Sequence, residues 1–356
     1  MIKILMCGNH PTNKGGMTSV INQICEYDWK QDDIQLSFIP TFKPGNSAVK
    51  ILFFCCSYFK LISKMICDRP DIVHVHMSYK GSFTRAFSIH LLCKLLGVKD
   101  VIHLHGSEFE KWYDSSSELK QKKIRKLLRE CSQFIVLGDK WKKVISRIES
   151  TTKIYVISNG IKIPEKTVQW RVDCCKILYL GVLIPRKGLS DLLNAIKRLK
   201  DTGSISNMHF IIAGTGSDEK KLKTEVEKMH LNDKVEFVGW VSGDKKTYYL
   251  EHCQVMVSPS YNEGLPISIL EAASYGMPIV ATDVGDIASV VLDNISGFLI
   301  RPGDIEALTD ALGKVSMKEN YKNMSINARC IAVDKFSIDI FLKKLFEVYR
   351  NVYLSK

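Results

Sequence analysis

The stretch Lys176-Ile-Leu-Tyr-Leu-Gly-Val-Leu-Ile-Pro-Arg-Lys-Gly188 reads as a short apolar strand that ends at a glycine and turns, through a proline, into a helix. The chain opens with the same grammar, Met1-Ile-Lys-Ile-Leu-Met-Cys-Gly8, again a buried strand running into a glycine turn and a helix. Working outward from these two points, β-branched runs alternate with longer helical patterns along the whole sequence. The first series is Ile2 to Cys7, Ile34 to Ile39, Ile72 to His76, Asp100 to His105, Gln133 to Leu137 and Ile154 to Ile157. Around Lys162 to Arg171 the periodicity lapses, which reads as a linker. A second series follows, at Lys176 to Gly181, His209 to Ala213, Val235 to Val238, Val255 to Pro259, Pro278 to Ala281 and Gly297 to Ile300. Strands that alternate with helices make a parallel α/β sheet, so two series predict two Rossmann-like domains. After Phe336 an amphipathic helical pattern runs to the terminus and suits packing back across the first domain.

At 356 residues the chain is long enough for two cores, and 46% hydrophobic with 25% charged residues is the balance of a globular protein. The N-terminus shows no signal-peptide pattern, which predicts a cytoplasmic protein. The most apolar stretch, Ile51 to Cys67, is interrupted by Lys60 and Lys64 and reads as an amphipathic helix rather than a membrane span. Eleven cysteines have no Cys-x-x-Cys or zinc spacing and read as reduced and mostly packed. The net charge of +12 predicts attraction to something acidic. Ten of the cations fall between Lys120 and Arg147, where the aromatic residues, Phe134 and Trp141, are not interleaved as a stacking platform would require. That pattern argues against nucleic acid, which needs stacking platforms. It suits an anionic membrane surface, at about 1 kcal/mol per cation near the bilayer, or a plain solvated face.

Between Glu263 and Glu271 two carboxylates bracket Gly264, Leu265 and Pro266 at the start of a helix. A glycine there permits close backbone approach, and the amides of a helix start favour an anion such as phosphate. Carboxylates beside a phosphate site accept hydrogen bonds from sugar hydroxyls or stabilise developing positive charge. Arg186 and Lys187, after the strand that opens the second series, suit a diphosphate, each charge pair being worth on the order of 4 kcal/mol before desolvation. Gly15 and Gly16 bring backbone amides to the start of the first helix. No Gly-x-Gly-x-x-Gly is present there, and Gly214-Thr-Gly216 does not complete one, which argues against a dehydrogenase. His74 and His76 share one side of their strand, as do His103 and His105. A buried, hydrogen-bonded histidine is the ordinary state of each. His105 is the functional candidate because it precedes Gly106 at a strand end, and no carboxylate nearby completes a metal site.

In this order the motifs resemble the glycosyltransferase family 4 enzymes of the GT-B fold, which are retaining and use nucleotide-diphospho-sugars. The resemblance covers nearly the whole chain. It is carried by Gly15-Gly16, Asp71-Ile-Val-His-Val-His76, His105-Gly106, Ser158-Asn-Gly160, Lys187-Gly188, Gly239-Trp240, Ser258-Pro-Ser260, the Glu263 to Glu271 spacing, Asp283-Val-Gly285 and Gly297-Phe-Leu-Ile-Arg-Pro-Gly303. It implies an acceptor-binding domain at 1–165, a nucleotide-sugar domain at 166–335, the two facing a central cleft, and a helix at 336–356 crossing back to the first. It further implies that Glu263 and His105 lie near the transferred sugar, that Glu271 binds the ribose and that Lys187 balances the diphosphate. The amides of Gly264 and Leu265, with Pro266 starting their helix, would hold the sugar and diphosphate. Backbone at Val238 and Gly239 would meet the base, and Gly15-Gly16 would approach the donor phosphate. Many relatives carry arginine directly after the glycine that is Gly181 here. This chain has Val182, which makes Arg186 the candidate replacement.

The activity so implied is transfer of a hexosyl unit to an acceptor hydroxyl with retained configuration, without a cofactor or bound metal, no Asp-x-Asp being evident. The partners expected are the nucleotide-sugar, a glycan or lipid-linked acceptor in cell-surface polysaccharide assembly, and an anionic membrane face touched peripherally. Two other readings use the same residues: a nucleotide-sugar epimerase of the same fold, and a non-catalytic nucleotide-sugar-binding protein.

Overall fold

The computed structural model describes residues 1–171, 174–205 and 207–355. Among the described residues twelve strands are formed, β1 (Ile2–Asn9), β2 (Ile34–Phe42), β3 (Ile72–Met77), β4 (Lys99–Leu104), β5 (Gln133–Val136), β6 (Ile154–Val156), β7 (Cys175–Leu180), β8 (Met208–Ala213), β9 (Val235–Gly239), β10 (Val255–Ser258), β11 (Ile279–Thr282) and β12 (Gly297–Ile300). Each predicted run overlaps one of them, with ends that coincide or differ by at most three residues. Every ladder between these strands is parallel, as expected where helices link consecutive strands.

The strands form two six-stranded sheets, ordered β2-β1-β3-β4-β5-β6 and β12-β11-β10-β7-β8-β9. The second is the dinucleotide-fold order, reversing direction between β7 and β10. The first has the other common doubly wound order, reversing between β1 and β3. Ligands of open sheets bind outside the carboxyl ends of the strands at such a reversal. Two places are thereby singled out: the loops after β7 and β10 in one sheet, and those after β1 and β3 in the other.

Two compact units contain these sheets, one made of Met1–Asn159 with Asp339–Lys356 and the other of Gly160–Ile338. The segment read as a linker belongs to the second: Val168 N donates to Tyr275 O at 2.8 Å, and Arg329 reaches Pro164 O at 2.5 Å. The last helix, Ile338–Leu354, is part of the first unit's core. It buries Phe341, Leu345, Val348 and Tyr349, and Lys99 Nζ donates to the carbonyl of Val352 at 2.9 Å. The helical pattern at 336–356 begins two residues before this helix, and Lys356 lies outside the described residues.

All six residues of β3 are buried, as befits a strand covered on both faces. The helix Ser47–Cys67 behaves differently. It buries Ser57, Leu61 and Met65 and leaves Ile51, Leu52, Phe59 and Ile66 more than half exposed. Its Cys55, Cys56 and Cys67 face solvent, so the expectation of mostly packed cysteines is corrected: five are buried and five exposed, all unpaired. No helix among the described residues is long and apolar enough to cross a membrane.

The basic stretch maps to the helices Glu118–Glu130 and Asp139–Ile148. Some of its charge is matched locally. Arg147 pairs with Glu110 at 2.9 Å, Lys122 with Glu118 at 2.7 Å and Arg129 with Glu149 at 3.4 Å, while Lys120, Lys123 and Lys126 remain exposed.

Candidate active site

After β7 the chain runs through a short 3-10 turn, Pro185–Lys187, into the helix Leu189–Asp201. Gly188 joins the two at φ 68°, and a Cβ there would collide with the carbonyl oxygen of Pro259. The loop after β7 is thus pressed against the loop after β10, across the reversal of the second sheet. Tyr261 N donates to Arg186 O at 2.8 Å and ties the loops together.

This juxtaposition collects the charged residues. Lys187 Nζ is paired with Glu263 Oε1, Arg186 Nη1 lies 3.7 Å from Glu263 Oε2, and Ser260 Oγ donates to Glu263 Oε1 at 2.8 Å. Arg186 also donates to the Asn262 carbonyl at 2.7 Å. The Glu263 side chain is 8% exposed and that of Lys187 13%, so the pair sits largely out of water. A buried carboxylate is stable as an ion only when paired and hydrogen-bonded. With a lysine, a nearby arginine and a buried serine hydroxyl, Glu263 has those partners. Two cations around one carboxylate leave a net positive charge, the condition for holding an anion.

Gly264 and Leu265 lead to Pro266, which caps the helix Ile267–Ser274 from the position just before its first residue. Asp286 N donates to Gly264 O at 2.9 Å. Gly285 makes that approach possible: its φ is 56°, and a Cβ would collide with the Glu263 and Gly264 carbonyls. Glu271 lies in the second turn of this helix and accepts from Lys246 Nζ at 2.5 Å, with its side chain 19% exposed. Lys246 belongs to the helix Gly243–His252, and its neighbour Lys245 donates to the Val238 carbonyl at 3.1 Å. Val238 and Gly239 close β9. Two adjacent lysines therefore link the end of β9 to Glu271. Ser260, Lys246 and Gly285 were not legible as site residues; Ser260 and Gly285 stood in quoted motifs without a role, and Lys246 carries no local signal.

In the first unit, Gly15 caps the helix Gly16–Glu26 after the β1 loop, at φ 129°, with nothing within 4 Å of where a Cβ would stand. His105 follows β4, with its N–H donating to Met77 O at 2.8 Å and its Nε2 2.9 Å from His76 Nδ1. His74, His76, His103 and His105 form one stacked group, with adjacent ring centroids 4.2 to 5.5 Å apart. Tyr349 Oη, from the last helix, contacts His74 Nδ1 at 2.7 Å. Alternation on β3 and β4 puts all four imidazoles on one face. Burial pushes His105 down to about 3, and burial with the neighbouring His105 does the same to His74. Burial and the surrounding imidazoles hold His76 and His103 well below 6.5. All four are neutral at pH 7. His105 therefore offers a hydrogen bond rather than a charge. Among the described residues, His74, His76 and His103 are the group with metal-ligand spacing, their ligating atoms lying within 4.8 Å of one another.

Comparison with known proteins bears on both units. Residues 166–330 match the family described as "Glycosyl transferases group 1", and residues 25–163 match "Glycosyltransferase Family 4". Between them these cover the chain from 25 to 330 but for two positions. A UDP-Gal:alpha-D-GlcNAc-diphosphoundecaprenol alpha-1,3-galactosyltransferase of Escherichia coli is 28% identical, over 94% of this chain and 90% of its own length. Among solved structures, the sucrose-phosphate synthase of Thermosynechococcus elongatus superposes with a TM-score of 0.84 at 17% identity, covering all of both chains. Anabaena Alr3699/HepE in complex with UDP-glucose superposes with a TM-score of 0.77 at 17% identity, over 98% of this chain and 100% of the other.

Proposed function

The chain belongs to the group 1 and family 4 glycosyltransferases of the GT-B fold, and on that premise we propose that it moves a hexosyl unit from a nucleotide-diphospho-sugar to an acceptor hydroxyl with the anomeric configuration retained. The observation that carries this reading is the convergence of Arg186, Lys187 and Glu263 at the reversal of the second sheet. A diphosphate there meets two cations, and a departing one gains negative charge exactly where they stand, which lowers the barrier for leaving. Arg186 supplies the charge that relatives draw from the position of Val182.

In the proposed step the bond from the anomeric carbon to the diphosphate oxygen breaks first, through an oxocarbenium-like state. The acceptor oxygen bonds to the same face, and its proton passes to the departing diphosphate. No strong protein base is required. Glu263 stabilises the developing positive charge on the sugar, and release of its partner Lys187 towards the diphosphate strengthens that role. Glu271 exchanges its contact with Lys246 for the ribose hydroxyls, the Val238-Gly239 backbone meets the base, and the Gly264-Leu265 amides at the Pro266-capped helix hold sugar and phosphate. We assign Gly15 and Gly16 to the donor phosphate and neutral His105 to a sugar hydroxyl. Transfer on these terms runs without a divalent cation, its charge being balanced by side chains and amides.

The galactosyltransferase relative acts on a diphosphoundecaprenol-linked sugar, which supports a lipid-linked acceptor in polysaccharide assembly. The exposed apolar face of the helix Ser47–Cys67, flanked by Lys60 and Lys64, favours work at an anionic membrane surface. The decisive assay offers a panel of nucleotide-sugars and measures nucleotide release with and without a polyprenyl-linked acceptor. Acceptor-dependent release, with a product whose anomeric coupling constant matches the donor's, is expected. An inverted product would overturn the stereochemical assignment, and isomerised donor without acceptor would make the protein an epimerase.

A further inference from the structure

At the reversal of the first sheet, between the ends of β1 and β3, lies a recess of about 220 Å³ counting its open mouth. Gly8, Asn9, Thr41, His76, Ser82 and Arg85 line it. Arg85 comes from the second turn of the helix Gly81–Leu96, whose first turn has no side-chain cap. Its guanidinium stacks over the Phe42 ring at 4.7 Å. Among the described residues no carboxylate pairs with it and none accepts a hydrogen bond from it. Desolvation without a counter-charge pulls its pKa down to about 10. A cation so placed, beside the amide end of a helix, is poised for an anion that the protein itself does not supply. The recess is too shallow to enclose a ligand, so an anion would meet the Arg85 guanidinium at its open mouth.

What lies next to the recess narrows the ligand. Phe42 ends β2, and four residues later Asn46 caps the helix Ser47–Cys67 through a bond from Val49 N at 2.9 Å. That helix presents Val49, Ile51 and Leu52 at 44%, 65% and 67% exposure, and Tyr58 Oη ties it to Ser88 of the Arg85 helix at 3.1 Å. An unpaired guanidinium therefore sits beside an unpartnered apolar helix start. We infer that Arg85 and this recess bind a phosphoryl group of an acceptor in which a diphosphate joins the sugar to an apolar chain, the chain running onto the Ser47–Cys67 helix. The inference rests on the reading of the protein as a transferase with a lipid-linked acceptor, and gives that acceptor's phosphate a specific partner.

The test compares wild type with Arg85→Gln and Arg85→Lys on two acceptors of one sugar, a sugar-diphospho-alkyl compound and the neutral alkyl glycoside. Arg85→Gln should raise KM for the diphospho acceptor by about ten- to a hundredfold, the range of a lost charge-assisted hydrogen bond pair. KM for the neutral glycoside and for the donor should stay within twofold, with Arg85→Lys intermediate because it keeps charge but not the planar fork. Equal losses on both acceptors, or a rise in donor KM, would overturn the assignment. A second measurement is independent of turnover: calorimetric binding of a long-chain alkyl diphosphate, with saturating nucleoside diphosphate present to occupy the other site. Binding about tenfold weaker in Arg85→Gln, with melting unchanged, supports the subsite even if neither acceptor is glycosylated, in which case the transferase reading fails instead. Unchanged alkyl diphosphate binding overturns the subsite, and inorganic pyrophosphate binding as tightly as the alkyl compound overturns the lipid-linked assignment.

Discussion

Lys187 Nζ is paired with Glu263 Oε1 across 76 positions of sequence, from the loop after one central strand to the loop after the next. Ser260 Oγ completes the contact at 2.8 Å. The pair holds both loops in register at the reversal of the second sheet, and each partner makes burial of the other tolerable. Removing one partner leaves a largely buried charge, which is costlier than removing both. We expect Lys187→Met to destabilise the protein by about 2 kcal/mol, and Lys187→Met with Glu263→Gln to recover at least half of that. Urea denaturation of the three proteins measures the coupling; additive losses would show the two side chains to be independent.

The two glutamates of the Glu263 to Glu271 motif have unlike surroundings and should fail differently. Glu263→Ala removes the carboxylate between two cations and is expected to lower kcat by more than a hundredfold while leaving a folded protein. Glu271→Ala should raise donor KM about tenfold with kcat retained within a few fold, the pattern of lost ground-state binding. Steady-state kinetics on the preferred donor decides it. Wild-type turnover in Glu263→Ala would remove that residue from the mechanism.

Gly285 is far from Glu263 in sequence and against it in space. Gly285→Ala would force its Cβ into the Glu263 and Gly264 carbonyls at a positive φ. Displacement of that loop should cost activity out of proportion to stability, with kcat/KM reduced by about a hundredfold or more, because small misplacements of a site are expensive. A melting temperature and kcat/KM both within error of wild type would show the loop to be slack.

The histidine group makes stability depend on pH in a defined window. The folded protein holds His74 at about 3, and His76 and His103 well below 6.5, whereas the unfolded chain protonates each near 6.5. Between those limits the unfolded state binds more protons. The stabilisation is complete above pH 6.5 and is lost as pH falls through the window, by up to about 1.4 kcal/mol per pH unit for each histidine that stays neutral. Urea midpoints from pH 7.5 to 5 should fall steeply, and His103→Val should flatten the slope. Parallel slopes would mean that the group does not titrate on unfolding.

Membrane attachment, if it operates through the helix Ser47–Cys67, depends on side chains that the fold leaves uncovered. Leu52→Asp with Phe59→Asp should reduce co-sedimentation with anionic liposomes severalfold without lowering the melting temperature, since both residues are more than two-thirds exposed. Equal sedimentation of variant and wild type would place the contact elsewhere.

The alternation of strands and helices was legible because it is local. A strand's apolar run and a helix's period are properties of five to fifteen consecutive residues, and β1 through β12 fall where those runs lie. Gly188 and the Glu263 loop announced themselves for the same reason, as turn and cap chemistry at the ends of such runs. Strand order is not local, and neither sheet's point of reversal was written in any one segment. Only the folded sheets bring Arg186 and Lys187 beside Glu263, set Lys246 on Glu271 and gather four histidines from two strands on one face. The reason is energetic: these contacts form where burial removes water from charged and polar groups, and partners distant along the chain then become the only ones available.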